Sequence, residues 1–326
     1  MLDNGADWLA RVAVWIEGAL TEMGYESAGP LATIQDSDWS RVLRVPTTAG
    51  PLYFKASAPI FGYEPALTKA LDALLPGAVP HVLALDAGRH WMLMADAGTP
   101  FRDAAAQSRD LATWEAMFTQ FARLQQAAIP HRDELLRAGC PDRRLPALPG
   151  EFAEFIADRK TLLVGAENGL PEDEHERLLG YEPEVRALCD ELAAFAIPET
   201  LHHDDFGASN ILVTGDRCVF YDWAESAITH PFCSLYIALR WARYVGEYDE
   251  SALTRMRDAY LAAWSEYGSP DDLRAAFALA QRLATLSRAL TWYRLAVSLD
   301  RGAAWERADA PAYWLRMFLN YPDEVE

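Results

Sequence analysis

The spacing of the apolar residues changes about a third of the way along the chain. In the first 96 residues, short apolar runs occur in two pairs, and turn residues join the members of each pair. After that point, apolar residues recur at helical spacing with one main interruption, near residues 201–223. Paired short runs predict strands, whereas recurrence every three or four residues predicts amphipathic helices. The pattern therefore predicts an α+β protein with a small strand-rich first lobe and a large, mostly helical second lobe.

The first lobe is predicted to contain a helix, a hairpin, a second helix and a second hairpin. In chain order these are a helix over 7–23 ended by Gly24, strands over 41–45 and 52–56, a helix over 64–75, and strands over 80–86 and 91–94. The sequence Ala-Gly-Thr-Pro at 97–100 is typical of a connecting segment. We therefore expect one lobe over residues 1–96 and the other over 97–326.

The second lobe is predicted to be helical except for one loop and one hairpin. Helices are expected over 113–127 and near 151–163, 182–195, 232–245, 251–267, 271–299 and 311–319, and a loop over 139–150. The hairpin pairs 211–213 with 219–221 around Thr-Gly-Asp, and Asp222 closes it.

Composition excludes several classes of function. Among the 326 residues, 48 acidic against 29 basic side chains give a net charge of −19. This charge opposes nucleic acid or an anionic membrane surface as the main partner and slightly favours a cationic ligand. No apolar run is long enough to span a membrane, and the first seven residues do not resemble a secretory signal. The four cysteines form no CxxC pair, so a reduced, cytoplasmic protein is expected, whereas the oligomeric state is not predicted.

The interruption near residues 201–223 contains a cluster of polar residues. A loop with His203, Asp205 and Asn210 enters the hairpin from which Asp222 emerges. We expect the hairpin to bring the oxygen-bearing side chains of Asp205, Asn210 and Asp222 around one small volume. Such ligands suit Mg²⁺, and a further carboxylate beside the ion can accept a proton from a hydroxyl. The cluster therefore predicts phosphoryl transfer.

The same segment resembles the catalytic signature of the aminoglycoside phosphotransferase family, kinases of small molecules with a protein-kinase-like fold. The resemblance rests on His203-Asp204-Asp205, four further residues and Asn210, followed by Asp222. It extends to the first lobe, where Lys55 ends a strand and Glu64 opens the next helix. Residues 92–96, Met-Leu-Met-Ala-Asp, lie where the family has the hinge that presents backbone groups to adenine. The resemblance implies a two-lobed fold with ATP and Mg²⁺ between the lobes.

For the catalytic loop, the resemblance implies three roles. Asp205 would be the catalytic base, and His203 would brace the loop. Asn210 and Asp222 would hold Mg²⁺.

For the first lobe, the resemblance implies the nucleotide contacts. Lys55 would bind the α- and β-phosphates and would be held by Glu64. Met94 and Asp96 would belong to the adenine-binding hinge. The segment 34–40 would cover the phosphates, but it contains no glycine, which leaves Ser37 or Ser40 as phosphate contacts.

Two further positions depart from the family pattern. Asp204 stands where these kinases usually have glycine, which would add a carboxylate beside the base. His230-Pro231 replaces the common Asp-Pro and is expected to alter a structural contact of the loop.

The expected function is therefore ATP-dependent phosphorylation of a hydroxyl group on a small molecule. The acceptor could be an antibiotic, which would imply a resistance enzyme, or a metabolite such as an amino alcohol or sugar. Glu225 and Asp249 are candidates for facing the acceptor. Two alternatives remain open at this point. The protein could be a nucleotide-binding relative without activity, or a metal-dependent hydrolase that uses the cluster His202-His203-Asp204-Asp205.

Overall fold

The computed structural model describes residues 7–108, 110–299 and 305–321. Its strands, in chain order, are β1 (Ala32–Asp36), β2 (Ser40–Thr47), β3 (Gly50–Ser57), β4 (Val82–Asp86), β5 (Trp91–Ala95), β6 (Thr99–Pro100), β7 (Thr200–His203), β8 (Ile211–Thr214), β9 (Arg217–Phe220) and β10 (Ser226–Thr229). Its α-helices are α1 (Asp7–Met23), α2 (Glu64–Leu74), α3 (Phe101–Ser108), α4 (Leu111–Ala128), α5 (Arg132–Arg137), α6 (Leu148–Ala157), α7 (Glu172–Leu179), α8 (Glu182–Ala193), α9 (Leu235–Tyr244), α10 (Glu250–Ala262), α11 (Pro270–Leu299) and α12 (Ala310–Leu319).

The chain forms two compact units, and each unit combines separate stretches of sequence. The first unit contains the described residues up to Ala104 together with Asp133–Cys140 and Ser209–Ala224. The second unit contains Ala105–Arg132, Pro141–Ala208 and the described residues from Glu225 onward. The hairpin β8–β9 thus belongs to the first unit although it lies far along the chain from the other two segments of that unit. The expected lobe boundary at residues 96 and 97 stays a prediction.

The first unit contains an antiparallel five-stranded sheet in the order β1-β2-β3-β5-β4. A second, three-stranded sheet in the order β6-β8-β9 belongs to the same unit. Helix α1 packs on the larger sheet through one stripe of apolar side chains, because Trp8, Val12, Ile16 and Leu20 recur at helical spacing and are all buried. The helix ends at Gly24, whose φ of +74° is a left-handed conformation that glycine adopts without strain.

An aromatic cluster fixes α1 against the centre of the sheet. Trp15 of α1 meets Phe54 of β3 edge to face, with ring centroids 5.7 Å apart, and meets Trp91 of β5 at 5.8 Å. Phe54 and Trp91 are themselves 5.6 Å apart in the same type of arrangement. Edge-to-face pairs add about 0.5–1.5 kcal/mol each beyond the burial of their area. The face of the sheet that packs on α1 is therefore rigid. It supports the same strands, β3 and β5, where they carry residues that do not face α1.

The second unit is built around the long helix α11. Its middle section, from Ala280 to Trp292, is buried except for Arg282, which is partly exposed, so this helix is enclosed on nearly all sides although it carries buried polar side chains such as Arg288. A short two-stranded sheet, β7 with β10, lies in the same unit and pairs His203 with Ser226 and Thr200 with Thr229. The buried amide of Gln125 in α4 donates to the carbonyl of Leu201, 2.8 Å away, and so ties β7 to the helices.

The predicted α+β class, with a strand-rich first part and a helical remainder, is confirmed. All three predicted hairpins form, and so do helices at the predicted positions. The structure adds elements that were not predicted, namely β1, β6, β7, β10, α3, α5 and α7. Strand β1 gave no signal because all five of its residues are exposed and it contains no run of apolar residues. The expected loop over 139–150 is shorter than predicted, because α6 already begins at Leu148.

None of the helices within the described residues combines the length and the apolar character that crossing a bilayer requires.

Candidate active site

The first unit contains a cavity of about 310 Å³, which falls in the size range of small-molecule sites. Its walls are mainly apolar or aromatic and come from Ile34, Val42, Tyr53, Met94, Leu212 and Tyr221. Lys55 and Asp222, which contact each other, form what is called here its charged end, and Asp96 also lines the cavity. A cavity with an apolar slot and a charged end suits a ligand that combines a flat apolar part with an ionic part.

Lys55 is held at the charged end by two carboxylates. Its Nζ atom donates to Oε1 of Glu64 and to Oδ1 of Asp222, both at 2.6 Å. The second oxygen of Glu64, Oε2, accepts a hydrogen bond of 2.6 Å from the hydroxyl of Ser57. Glu64 is the first residue of α2, and Asp222 follows β9, so strand, helix and hairpin meet at one ammonium group.

Burial and neighbouring charges shift the pKa of Lys55 in opposite directions. Burial alone would lower the pKa of its ammonium group, because a low-dielectric surrounding disfavours the charged form. The carboxylates of Asp222 and Glu64 outweigh this effect and hold the pKa of Lys55 well above its ordinary value. Lys55 therefore stays protonated at every physiological pH and can donate to an anionic group.

Asn210 and Asp222 stand at the two ends of the hairpin β8–β9. Because Ile211 pairs with Phe220, the residues just outside this pair come together, and the backbone N–H of Tyr221 donates to the carbonyl of Asn210 at 3.1 Å. Asp222 has a φ of +64°, a region that non-glycine residues seldom adopt and that often marks a functional position. The backbones of the two hairpin ends thus lie together, whereas the predicted grouping of the side chains of Asn210 and Asp222 stays a prediction.

The hairpin end is stabilised from two sides. The buried Trp223 donates from Nε1 to the carbonyl of Phe220, 2.9 Å away, so its role is structural. The phenol of Tyr63, next to Glu64, donates to the carbonyl of Ala224. These two bonds restrain the backbone on either side of Asp222. An asparagine and an aspartate at the two ends of one hairpin carry oxygen donors of the kind that suits Mg²⁺.

Gly98 allows the hairpin to approach the segment that follows β5. A Cβ atom at this position would lie 2.2 Å from the carbonyl oxygen of Val213, and the residue has a φ of +119°. Thr214 in the same hairpin donates from its hydroxyl to the carbonyl of Ala97 at 2.7 Å. Only glycine fits here, and the close approach completes one wall of the cavity.

The loop after β7 belongs to the second unit. His203 is fully buried, and its backbone N–H donates to the hydroxyl of Ser234 at 3.2 Å. The backbone N–H of Asp204 donates to the carbonyl of Glu225 at 2.7 Å. Asp205, two residues after His203, keeps 40% of its side chain exposed. The start of the loop is therefore buried, whereas the carboxylate of Asp205 is exposed.

An arginine that sequence reasoning missed contacts the exposed carboxylate. Nη2 of Arg288 lies 3.0 Å from Oδ1 of Asp205, and Nη1 pairs with Glu225 and donates to the carbonyl of Asp204 at 3.2 Å. Burial disfavours the guanidinium charge, but the carboxylates of Glu225, Asp205 and Asp204 outweigh it and raise the pKa of Arg288. Arg288 lies in α11, 83 positions after Asp205, and no motif marks it.

Asp204, which replaces the usual glycine, points away from the exposed side of the loop. Its side chain is buried, lies 3.1 Å from Nε2 of His202, and accepts a hydrogen bond of 2.6 Å from Thr291. Burial would raise the pKa of Asp204, but the bond to His202 and the charges of Arg288 and Arg143 lower it to about 2. The expected extra carboxylate beside the base is therefore an anchor of the loop to α11.

The contacts of His202 and Asp204 bear on the hydrolase alternative. His202 lies between Asp204 and the hydroxyl of Ser234, which is 2.9 Å from its Nδ1. In the described part of the chain, no three His, Cys, Asp or Glu side chains are arranged as a metal site. The structure thus offers no support for metal-dependent hydrolysis by this cluster.

The remaining predicted residues divide into two groups. Met94 and Asp96 line the cavity. Ser40 does not line it, since it is buried and its hydroxyl accepts a hydrogen bond of 3.1 Å from Gln35 and lies near Ser37. A phosphate contact through Ser40 stays a prediction. So does the grouping of Asp205 with Asn210 and Asp222, because Asp205 belongs to the other unit.

The apolar lining of the cavity was missed by sequence reasoning. Ile34 and Val42 come from β1 and β2, whereas Leu212 and Tyr221 come from the distant hairpin. Ordinary apolar residues carry no motif, so only the folded arrangement identifies them.

The sequence matches the model of the Phosphotransferase enzyme family (APH) over residues 33–270. Among curated proteins, none matches the sequence significantly. The structure is similar to a choline/ethanolamine kinase family protein from Mesorhizobium loti, with a TM-score of 0.60 and 18% identity over 95% of this chain and 96% of that one.

Two other similar structures are named as phosphotransferases that act on antibiotics. One is macrolide 2'-phosphotransferase MphH from Brachybacterium faecium, with a TM-score of 0.55 and 15% identity over 94% and 98% of the two chains. The other is the GDP complex of an aminoglycoside 2'-phosphotransferase mutant, with a TM-score of 0.58 and 13% identity over 94% and 96%. At these identities the similarity establishes the protein-kinase-like fold. With the family match over most of its length, the chain belongs to the APH phosphotransferase family and is a small-molecule phosphotransferase of that family.

Proposed function

We propose that the protein transfers the γ-phosphoryl group of ATP to a hydroxyl group of a small organic acceptor. The observation that carries this proposal is the ammonium group of Lys55, fixed between Glu64 and Asp222 at the charged end of the cavity. A buried cation with two carboxylate partners and an open side toward a cavity suits a polyphosphate.

The cavity supports a role in nucleotide binding. Its apolar walls, including Val42, Met94 and Leu212, suit an adenine ring, and the backbone around Asp96 suits hydrogen bonds to its edge. Lys55 then binds the α- and β-phosphates. A structurally similar family member carries GDP, which supports a nucleoside triphosphate as the phosphoryl donor.

Asn210 and Asp222 are the residues proposed to hold Mg²⁺. They stand together at the hairpin ends, and Asp222 already contacts Lys55 at 2.6 Å. When bound there with the phosphates, the ion would neutralise charge on the transferred group. The strained backbone of Asp222 supports a functional role, because such a conformation persists only where surrounding contacts enforce it.

Asp205 is the residue proposed to act as the base. In the step, the acceptor oxygen forms a bond to the γ-phosphorus while the bond from that phosphorus to the ADP oxygen breaks. The hydroxyl proton passes to the carboxylate of Asp205 and then to water. The exposure of Asp205 and its placement by Arg288 support this role, and the buried His203 braces the loop.

The acceptor is proposed to be an antibiotic or a metabolite. Similar structures include both a choline/ethanolamine kinase family protein and a macrolide 2'-phosphotransferase, so their names favour neither class. The presence of Lys55, Asp205, Asn210 and Asp222 together opposes a protein without activity, because nucleotide binding alone needs no base.

The test is a mass-spectrometric screen for a shift of one phosphate on candidate acceptors incubated with ATP and Mg²⁺. Hydroxylated antibiotics, amino alcohols, sugars and hydroxy acids form the panel. Asp205→Asn should lower turnover by about 10²–10⁴-fold, the usual contribution of a positioned base. Asp173→Asn, on the exposed face of α7, is the matched control and should keep full activity. Turnover unchanged by Asp205→Asn would refute the role of this residue.

A further inference from the structure

Two consecutive residues of the loop after β7 are fastened to the same face of α11. Nη2 of Arg288 lies 3.0 Å from Oδ1 of Asp205, and Thr291 donates to the carboxylate of Asp204 at 2.6 Å. Residues three apart on a helix lie on the same face, so one face of α11 contacts both carboxylates. The buried Asp204 anchors the loop, whereas Asp205, the proposed base, stays 40% exposed.

The contact with Asp205 is one of three that Arg288 makes with this region. Its Nη1 atom pairs with the carboxylate of Glu225 and donates to the carbonyl of Asp204 at 3.2 Å. The guanidinium group is planar and rigid, so the positions of its nitrogens are linked. A group held at Nη1 by two acceptors has little freedom to rotate, and Nη2 therefore stays beside Oδ1 of Asp205.

Two indole rings restrain the same guanidinium group. Its centre lies 5.6 Å from the ring centroid of Trp292, one turn further along α11, and 5.9 Å from that of Trp314 in α12. Both distances fall within the range of cation–π contacts. A free arginine side chain has many rotamers. Here contacts from two helices favour a single orientation of Arg288.

Trp314 is the part of this arrangement that belongs to α12. Its ring meets that of Tyr236 in α9 edge to face, with centroids 6.0 Å apart, and that of the neighbouring Tyr313 at 5.3 Å. Helix α12 packs along α11. The orientation of Asp205 thus depends on a series of contacts that starts in α12 and passes through Trp314 and Arg288.

The residues that hold Asp205 lie beyond the part of the chain that the family model matches, which ends at residue 270. They are Arg288, Trp292 and Trp314, and no motif marks them. Packing explains why Arg288 is buried, and Glu225 supplies it with a counter-charge. Neither fact explains why Arg288 also contacts an exposed carboxylate. A role toward the base explains this contact.

We propose that Arg288 is the positioning residue of the base and that Trp292 and Trp314 keep Arg288 in place for this purpose. The inference rests on the proposed function, in which Asp205 accepts the proton of the acceptor hydroxyl. Arg288 acts through Asp205, because it keeps the exposed carboxylate in one orientation. A displacement of a catalytic group by about 1 Å can lower the rate about 10²-fold. Helices α11 and α12 are therefore needed for turnover as well as for folding.

The first test is a double-mutant cycle between Arg288 and Asp205. Hydrolysis of ATP with Mg²⁺, in which water replaces the acceptor, is the probe, so no acceptor needs to be known. Arg288→Gln should lower kcat by about 10–100-fold and leave the KM for ATP unchanged, since the nucleotide cavity lies in the first unit. In the background of Asp205→Asn, the same change should lower kcat by about threefold or less, because no base remains to be positioned. Losses that multiply would overturn the inference and leave the transfer intact.

A second pair of variants separates positioning from charge balance. Arg288→Gln leaves the carboxylate of Glu225, which is only 16% exposed, without this counter-charge, and such a loss destabilises proteins. The double variant Glu225→Gln/Arg288→Gln has no such charge and should unfold in urea like the wild type, while its kcat stays reduced. Recovery of kcat to the value of the wild type would mean that Arg288 only neutralises Glu225. Arg288→Lys, which keeps the charge but not the fork, should recover only part of kcat.

Trp314 tests the hold on Arg288 from a side chain that does not contact the base. Because Trp314 is only partly buried, Trp314→Leu should fold, and its kcat should fall by about threefold to tenfold. Trp314→Phe keeps an aromatic face and should retain most of kcat. Arg274→Gln is the matched control, since Arg274 also lies in α11 but pairs with Asp271 at 2.6 Å, and its kcat should be unchanged.

Amide exchange reports on the loop without any turnover. The backbone N–H of Asp204 donates to the carbonyl of Glu225 at 2.7 Å, and that of Gly207 donates to the carbonyl of Asp205 at 2.8 Å. These amides lie in the segment that Arg288 is proposed to hold. Peptides that cover it should exchange about threefold or more faster in Glu225→Gln/Arg288→Gln than in Glu225→Gln alone.

The same peptides should exchange faster in Trp314→Leu and at the rate of the wild type in Arg274→Gln. Unchanged exchange in the variants of Arg288 and Trp314 would overturn the inference, whatever the kinetics show. If the wild type neither hydrolyses ATP nor phosphorylates any acceptor, the proposed function fails, whereas faster exchange in these variants would still support the hold of Arg288 on Asp205.

Discussion

The two carboxylates that contact Lys55 differ in exposure. The side chain of Glu64 is fully buried, whereas that of Asp222 is 30% exposed at the cavity. Removing the lysine would leave the buried Glu64 without its counter-charge, which costs about 3–5 kcal/mol in comparable cases. A loss of activity in such a variant could therefore reflect unfolding as much as the loss of a phosphate contact.

A pair of variants separates these effects. Lys55→Met should lower the free energy of unfolding by about 3 kcal/mol. The double variant Lys55→Met/Glu64→Gln should recover most of that loss, because a neutral amide can keep the hydrogen bond from Ser57. Turnover should stay reduced by about 10²–10³-fold in both variants, since neither has the cation. Urea denaturation and steady-state kinetics measure the two quantities, and recovered turnover in the double variant would contradict the phosphate role.

His230 predicts a pH dependence of stability. Burial lowers the pKa of this imidazole to about 3, and its Nε2 atom has no hydrogen-bond partner within the described residues. Below about pH 6.5, the imidazole of His230 is therefore protonated in the unfolded chain but stays neutral in the folded chain. Because the unfolded state binds more protons in this range, the free energy of unfolding falls as the pH falls from about 6.5 to about 3.

The measurement is urea denaturation of the wild type and of His230→Asn at pH 7 and pH 5. Asparagine can replace the imidazole as acceptor for the backbone N–H of Phe232. Between these two pH values, the wild type should lose about 2 kcal/mol more than the variant. Parallel losses in both proteins would mean that His230 is not the group responsible.

At the scale of elements, the approach of the hairpin β8–β9 to the segment after β5 depends on one glycine. In Gly98→Ala the new Cβ would meet the carbonyl oxygen and carbon of Val213, at 2.2 and 2.8 Å. Backbone atoms cannot move aside as the end of a flexible side chain can. We therefore expect the free energy of unfolding to fall by about 2 kcal/mol or more and nucleotide binding to weaken. Thermal unfolding with and without an ATP analogue and Mg²⁺ measures both effects.

Gly88→Ala is the control for this prediction. Gly88 also lies in a turn of the first unit, but a Cβ there would meet only a side-chain oxygen of Asp86, at an ordinary 3.6 Å. This variant should unfold and bind nucleotide like the wild type. If Gly98→Ala behaves in the same way, the close approach is not required for the cavity.

The elements that the sequence predicted share a local signal. The paired strands β2 and β3 have buried apolar side chains and turn residues between them, and α1 has a stripe of buried residues ended by Gly24. Strand β1 has neither feature, because it is an edge strand with all residues exposed and forms only by pairing with β2. An element that forms only by pairing with another strand, and has no apolar pattern of its own, therefore cannot be predicted from the sequence.

At the scale of the whole molecule, the candidate site was predictable only where residues follow a motif. Lys55, Asp205, Asn210 and Asp222 were found because their types and order match a family signature. Arg288 was not, since it is one of many arginines on helices. Its meaning comes from what the fold places beside it. The net charge of −19 slightly favours a cationic acceptor, but a sum over the chain says nothing about the local charge of one cavity.

Hydrogen exchange tests the assembly of the first unit from distant segments. The cavity is lined by residues of 34–55, 80–100 and 212–222, and Lys55 contacts Asp222, 167 positions away. An ATP analogue with Mg²⁺ should therefore slow amide exchange in all three segments together, most strongly in the exposed β1, whose backbone opens easily. Peptides from α1, which packs on the sheet away from the cavity lining, should not change. The stable double variant Lys55→Met/Glu64→Gln should show little slowing. Slowing confined to one segment would mean that these stretches do not share a ligand, and the nucleotide cavity would then be refuted together with the transfer that depends on it.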